Sequence, residues 1–201
     1  MVVFELKLPG GLLHPKILND GRNLICLQSN CVARKRHARS FHDKLYKELR
    51  FGDPYKIRRP KQSDTCKRNL AREVDRPDLG SFLMMQDEKA PESKCGVAFL
   101  FAQYNMGDGN YLYFPDKEYV EACKRKERKV REDRLEAFKE CLRSISLSSH
   151  TLCRFDKILF PFKIGCFKAG GHWPDYLTAI NNFSSEIPSN IKVYIVQKED
   201  K

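Results

Sequence analysis

Hydrophobic and polar positions alternate over Val2–Leu8 (VVFELKL), which predicts a strand stopped by Pro9-Gly10-Gly11. After the Asn19-Asp20-Gly21 turn, Leu24–Leu27 (LICL) predicts a second, buried strand with Gln28, Ser29, Asn30 and Cys31 emerging at its end. Ala33–Leu49 carries Phe41, Leu45 and Leu49 at four-residue spacing beside Tyr46, the pattern of a helix with a basic start, ARKRHAR. Residues 51–79 are polar and basic, with Pro54, Pro60 and Pro77, and predict a long loop holding one helical turn at most. Gly80–Met85 predicts a short strand and Gln86–Lys94 an exposed charged turn. Cys95–Gln103 (CGVAFLFAQ) is the most apolar run and predicts a central strand, with a loop over Tyr104–Asn110 at its end. Asp116–Ser146 reads as one long helix, apolar along Leu135, Phe138, Leu142 and Ile145 and almost all charge in its first half.

The pattern is densest at Lys157–Trp173 (KILFPFKIGCFKAGGHW). A buried strand over Lys157–Ile164 leads into Gly165, Gly170 and Gly171. A helix over Trp173–Phe183 follows, opened by Pro174 and Asp175, and Ile191–Val196 closes the unit as a β-branched strand. Strands alternating with helices predict the α/β class, as a three-layer α/β/α sandwich over residues 1–201. A mixed sheet is expected because no obvious helix separates the first two strands. A glycine loop before a helix exposes backbone N–H groups where the peptide dipoles favour an anion, typically a phosphate. The same glycines would equally serve a tight strand-to-helix turn.

Charge narrows the partners. Lys and Arg number 37 against 26 Asp and Glu, a net charge of +11, which favours polyanions: nucleic acid, nucleotides or an ADP-ribosylated protein. The basic runs Arg34–Arg39, Lys56–Lys61 and Lys124–Arg131 are the candidate nucleic-acid surface, or simply solvated faces. No apolar run reaches transmembrane length, and the first residues lack the basic leader of a signal peptide. Eight cysteines without a CxxC pair predict neither a disulfide framework nor a zinc site, and a reducing compartment, cytoplasm or nucleus. The five histidines are dispersed, and no Ser/His/Asp or Cys/His arrangement is visible. A polar strand end, a glycine loop and an aromatic-bearing loop describe a phosphate-ligand pocket better than an acid/base centre.

FPFKIGCFKAGGHWPDYLTAI followed by KVYIV resembles the C-terminal part of a macro domain. LQSNCV, and KCGVAFLFAQYNMGDG with RLEAFKECLRSI, resemble the same family, so the likeness covers most of Leu24–Val196. The resemblance implies a three-layer α/β/α module that binds ADP-ribose without cofactor or metal, a monomer whose partners are ADP-ribose or an ADP-ribosylated protein or nucleic acid. It implies that Asn30 faces the distal ribose as the candidate catalytic residue, with Gln28, Ser29 and Cys31 beside it and Tyr104 near the ribose. Gly165, Cys166, Phe167, Lys168, Ala169, Gly170 and Gly171 would wrap the diphosphate. Taken by themselves, Asn30 reads equally as a loop-capping amide and Tyr104 as a core-edge aromatic. Some relatives remove ADP-ribose from proteins or nucleic-acid ends, or its 1″-phosphate. The chain departs from them at Leu27, where a His is usual, at Phe167 and Lys168, where Gly and Leu are usual, and at Ala169, where one group has an acid. Those departures predict slow or absent turnover.

Overall fold

The computed structural model describes residues 2–61, 69–87, 95–105, 117–167 and 169–199. Its centre is a six-stranded sheet in the order β1 (Phe4–Leu8), β6 (Lys192–Lys198), β5 (Lys157–Pro161), β2 (Asn23–Asn30), β4 (Cys95–Gln103) and β3 (Phe82–Gln86). Every neighbouring pair is parallel except β3 with β4. The sheet is mixed as expected, but for a different reason. β1 and β2 lie apart, with β6 and β5 between them, and the antiparallel strand is β3. The Ile191–Val196 segment does not close the sheet at an edge, since β1 pairs on its far side.

Alternation along the strands sends side chains to two cores. Leu24 and Cys26 of β2, Ala98 and Leu100 of β4 and Phe160 of β5 pack under α4 (Val130–Ser146) and α6 (Trp173–Glu186). Ile25 and Leu27, with Val97, Phe99 and Phe101, pack on the other face with Leu12, Ile17 of α1 (Pro15–Leu18) and Leu45 of α2 (Phe41–Glu48). The result is the α/β/α sandwich, with one thick helical layer and one thin one. All nine residues of β4 are buried, as a strand covered on both faces requires.

Four boundaries differ from the sequence pattern. The Ala33–Leu49 helix starts only at Phe41. Ser40 caps it, its hydroxyl accepting the Asp43 N–H at 3.2 Å, and Arg39 before it is left-handed (φ 63°). The basic run therefore precedes the helix and never meets its dipole. The long helix is two, α3 (Lys117–Lys124) and α4. Lys126 (φ 64°) ends α3, with Glu127 N–H donating to Ala122 and Lys126 N–H to Cys123, the paired bonds of a Schellman stop. β2 runs on through Gln28 to Asn30, with a bulge against β4 there. β5 stops at Pro161, and residues 162–167 form turns.

Among the described residues no helix is long and apolar enough to cross a membrane, and no cluster of His, Cys, Asp or Glu could hold a metal ion. Within residues 51–79 the described part holds one 3₁₀ turn, Glu73–Asp75, and the bridges Ala33–Leu70 and Pro60–Ala71. Most of the Gln86–Lys94 turn, and Met106–Asn110 of the loop after β4, lie outside the described residues.

Candidate functional site

Parallel strands that end together leave a crevice beyond their carboxyl ends, where open α/β sheets hold ligands. Here the ends of β2 and β4 meet. Gln28 Nε2 donates to Gln103 Oε1 at 3.0 Å, and Cys31 N–H donates to the Gln103 carbonyl at 2.9 Å. Asn30 Oδ1 accepts the Ala33 N–H at 2.8 Å, so its carbonyl caps the turn while its amide nitrogen makes no hydrogen bond to a described residue. Ser29, buried, shares a 2.8 Å hydrogen bond with His42 Nε2 on α2. The imidazole stacks on Phe99, with Tyr55 edge-on. Gln28, Ser29, Asn30, His42, Tyr55 and Gln103 line a cavity of about 210 Å³ with Lys35, Arg36, His37, Asn69 and Asn105. Among the described residues no carboxylate belongs to that lining.

The strand-end backbone is held by a residue from the basic loop. Arg58 is only 5% exposed and donates from one nitrogen to the carbonyls of Asn30 (3.1 Å), Cys31 (3.1 Å) and Ala33 (2.7 Å). Its guanidinium lies over the rings of Tyr55 and Phe101, with no ion pair among the described residues. Three neutral carbonyls do not neutralise its charge, and burial lowers its pKa, opposed in part by the Asp53 carboxylate.

Gly165–Gly171 runs alongside Gln28. Gly165 is left-handed (φ 72°), and a Cβ there would stand 2.5 Å from Gln28 Oε1 and 2.7 Å from Tyr176 Cζ. At Gly171 a Cβ would meet the same ring at 2.6 Å. These two glycines are therefore required by the Tyr176 ring beneath them. The loop also uses its own amides. Cys166 N–H donates to Lys163, Gly170 N–H to Phe167, and Gly171 N–H to Gly165. Of the expected wrap, Phe167 is exposed, Ala169 is buried, Cys166 is half-buried with its thiol pushed up to about 11 by burial, and Lys168 lies outside the described residues. None of the described loop residues lines the Asn30 cavity. The Cys31 side chain is fully buried, its thiol likewise pushed up to about 12, and faces the core rather than the crevice. Tyr104 packs half-buried against the same core.

Much of the basic charge is already answered. Arg59 pairs with Asp75, Lys61 with Glu73, Lys124 with Glu121, Arg125 with Glu127, Arg128 with Asp133 and Lys129 with Glu132. In two of the three basic runs most of the exposed cations are thus locally paired, while Arg58 of the first is buried. In the third, Arg36 is held by Asp43 and Asp53, while Arg34, Lys35 and Arg39 are exposed and make no ion pair with a described residue. Free positive charge therefore gathers at the rim of the Asn30 cavity.

His42 gives the site a pH dependence. Enclosure of the imidazole lowers its pKa from 6.5 to about 4, so the folded protein keeps it neutral where an unfolded chain would bind a proton. A depressed His pKa contributes stability that is full above pH 6.5 and is lost as pH falls toward 4. The loss should reach about 2–3 kcal/mol, somewhat below the full shift because the residue keeps some solvent contact. Urea midpoints at pH 7 and pH 4.5 should separate by that amount, and His42→Gln should reduce the separation. An equal separation in the variant would show that another group carries it.

Sequence reading missed Ser29–His42, Arg58, Tyr55 and Arg134. Only Ser40 with Asp43, a capping pair, could have moved the helix start and set His42 in its first turn. Nothing local marks Arg58 as buried within a run of exposed cations.

No family model matches the chain, and no curated protein matches it either. Among solved structures it is similar to a macrodomain of Thermus aquaticus DarG, at 12% identity and a TM-score of 0.47, covering 99% of this chain and 100% of that one.

Proposed function

We propose that this chain is a macro-domain-like protein that binds ADP-ribose, free or attached to a target, in the crevice beyond β2 and β4. The observation that carries the reading is a cavity whose described lining is cations, amides and hydroxyls without a carboxylate, with the Arg58 guanidinium hydrogen-bonded to the backbone at Asn30–Ala33. A phosphate-bearing ligand with hydroxyls matches that chemistry. The volume, about 210 Å³, suits a ribose-sized group, and Gln28, which lines the cavity and packs beside Gly165, sets the glycine loop next to it for the rest of the ligand. The macro-like sequence motifs at Leu27–Val32 and Phe160–Ile180 support the same ligand. Turnover should be slow. His42 is occupied by Ser29, and Asp43 and Asp53 by Arg36, so a general acid or base would have to be released from a partner first.

Calorimetry with ADP-ribose at two salt concentrations tests this. Binding should weaken at high salt, as contact with Arg34 and Lys35 requires. Asn30→Asp is the informative variant. It retains the oxygen that accepts the Ala33 N–H, but it replaces the amide with a carboxylate. Affinity should fall at least about tenfold at unchanged stability. No binding of the wild type at millimolar ADP-ribose would sink the reading.

A further inference from the structure

The two sides of the crevice share one anchor. Arg134, on α4 and only 2% exposed, donates from Nη1 to the Ala169 carbonyl at 2.5 Å and from Nη2 to the Asn105 carbonyl at 3.0 Å. Ala169 belongs to the glycine loop. Asn105 lies just beyond the end of β4 and lines the Asn30 cavity. The two loops are 64 residues apart in the chain (169 minus 105) and come from different strands. A planar guanidinium holds its two donors in one fixed fork, so the positions of the two carbonyls are tied to each other. α4 is packed into the core through Phe138, Leu142 and Ile145, which makes the base of the fork rigid.

We propose that Arg134 is a positioning residue that couples the glycine loop to the Asn105 loop, so that a ligand ordering one side of the crevice orders the other. It touches no ligand itself. Its effect on affinity rests on the ADP-ribose reading; its effect on the loops does not.

The test uses the full chain with Arg134→Met and Arg134→Lys, read by amide hydrogen exchange and by calorimetry well below the unfolding temperature. Methionine removes the charge and both donors. Lysine keeps the charge, but its single ammonium does not reproduce the fork. In both variants exchange should rise together in residues 162–172 and in residues 103–105, with α6 unchanged. ADP-ribose affinity should fall about tenfold to a hundredfold in Arg134→Met and less in Arg134→Lys. In the wild type, saturating ADP-ribose should slow exchange in both segments, and in Arg134→Met in one only. A merely structural arginine would lower the unfolding temperature and leave the two segments independent, and that result overturns the proposal. If the wild type binds no ADP-ribose, the functional reading fails, and exchange in the unliganded variants still decides the coupling. If a variant does not fold, Arg134→Ala with added guanidinium replaces it; recovery of paired protection with guanidinium supports the fork, and its absence counts against it.

Discussion

Gly165→Ala should destabilise the fold by roughly 2–5 kcal/mol, with no need of any ligand. Two costs add. The residue sits at φ 72°, where a Cβ is penalised, and the new methyl group would enter a space held by Tyr176 and Gln28. Neither neighbour is the free end of a flexible chain. Tyr176 is 1% exposed and locked against Phe138 at 4.8 Å between ring centroids, and Gln28 is tied to Gln103. Gly10→Ala is the control: its φ is 79°, but nothing lies within 4 Å of the added atom, so only the backbone cost of roughly 1–2 kcal/mol applies. Chemical denaturation of both variants separates the terms. A double-mutant cycle with Tyr176→Leu should be less than additive, because the smaller side chain makes room for the methyl group. Equal costs at Gly165 and Gly10 would show that the tyrosine gives way.

That glycine also shows how much of the site the sequence could carry. The cluster Gly165, Gly170, Gly171 announced a special backbone, and the structure has one, with positive φ at Gly165 and Gly170. What the sequence left open was the reason. Phosphate approach and close packing on an aromatic ring both call for glycine, and at Gly165 and Gly171 the ring is present as Tyr176, one turn into the following helix. In the sequence Tyr176 was just one apolar position of an amphipathic stripe. Asn30 behaves similarly. Its capping bond to Ala33 and its place in the cavity are both present, so the two readings of it are not alternatives.

The strands were legible because burial writes itself into runs of apolar residues. Cys95–Gln103 matches β4 residue for residue, and β1, β3, β5 and β6 each lie largely within their apolar segments. Helix ends were less legible where polar residues decide them. The Ala33–Leu49 pattern counted apolar spacings and passed over Ser40, while the stop at Lys126 uses a residue with no preference for the left-handed conformation. Least legible was the pairing of charge. Lys56–Lys61 and Lys124–Arg131 look like binding surfaces in one dimension, and in three their partners are Asp75, Glu73, Glu121, Glu127, Glu132 and Asp133. Some of those partners are only a few residues away, so a stricter count of acids near each basic run would have discounted it.

Arg58→Met should cost about 2–4 kcal/mol and should change the crevice more than any substitution on its rim. The guanidinium supplies three hydrogen bonds to strand-end carbonyls and lies 4.5 Å and 5.3 Å from the centroids of Tyr55 and Phe101. Nη1 carries two hydrogens that the three carbonyls share; a full bond from a charged donor contributes about 1.5–3 kcal/mol, and the ring contacts add to that. Against this stands the relief of no longer burying a charge that has no ion pair among the described residues, which is why the net loss is well below the sum. Methionine fills much of the space, so the cavity contribution stays small. Arg58→Lys keeps the charge and a donor but not the planar stack on Tyr55, and should fall between the two. Stability alone would not separate support from electrostatics. If the buried charge draws the ligand's phosphates, Arg58→Lys should retain most of the affinity for ADP-ribose while Arg58→Met loses it, even where both remain folded. If the residue only braces the turn at Asn30–Ala33, affinity should follow stability across the two variants. Calorimetry beside urea denaturation on the same preparations distinguishes these outcomes, and a fully stable Arg58→Met would show that the carbonyls find water instead.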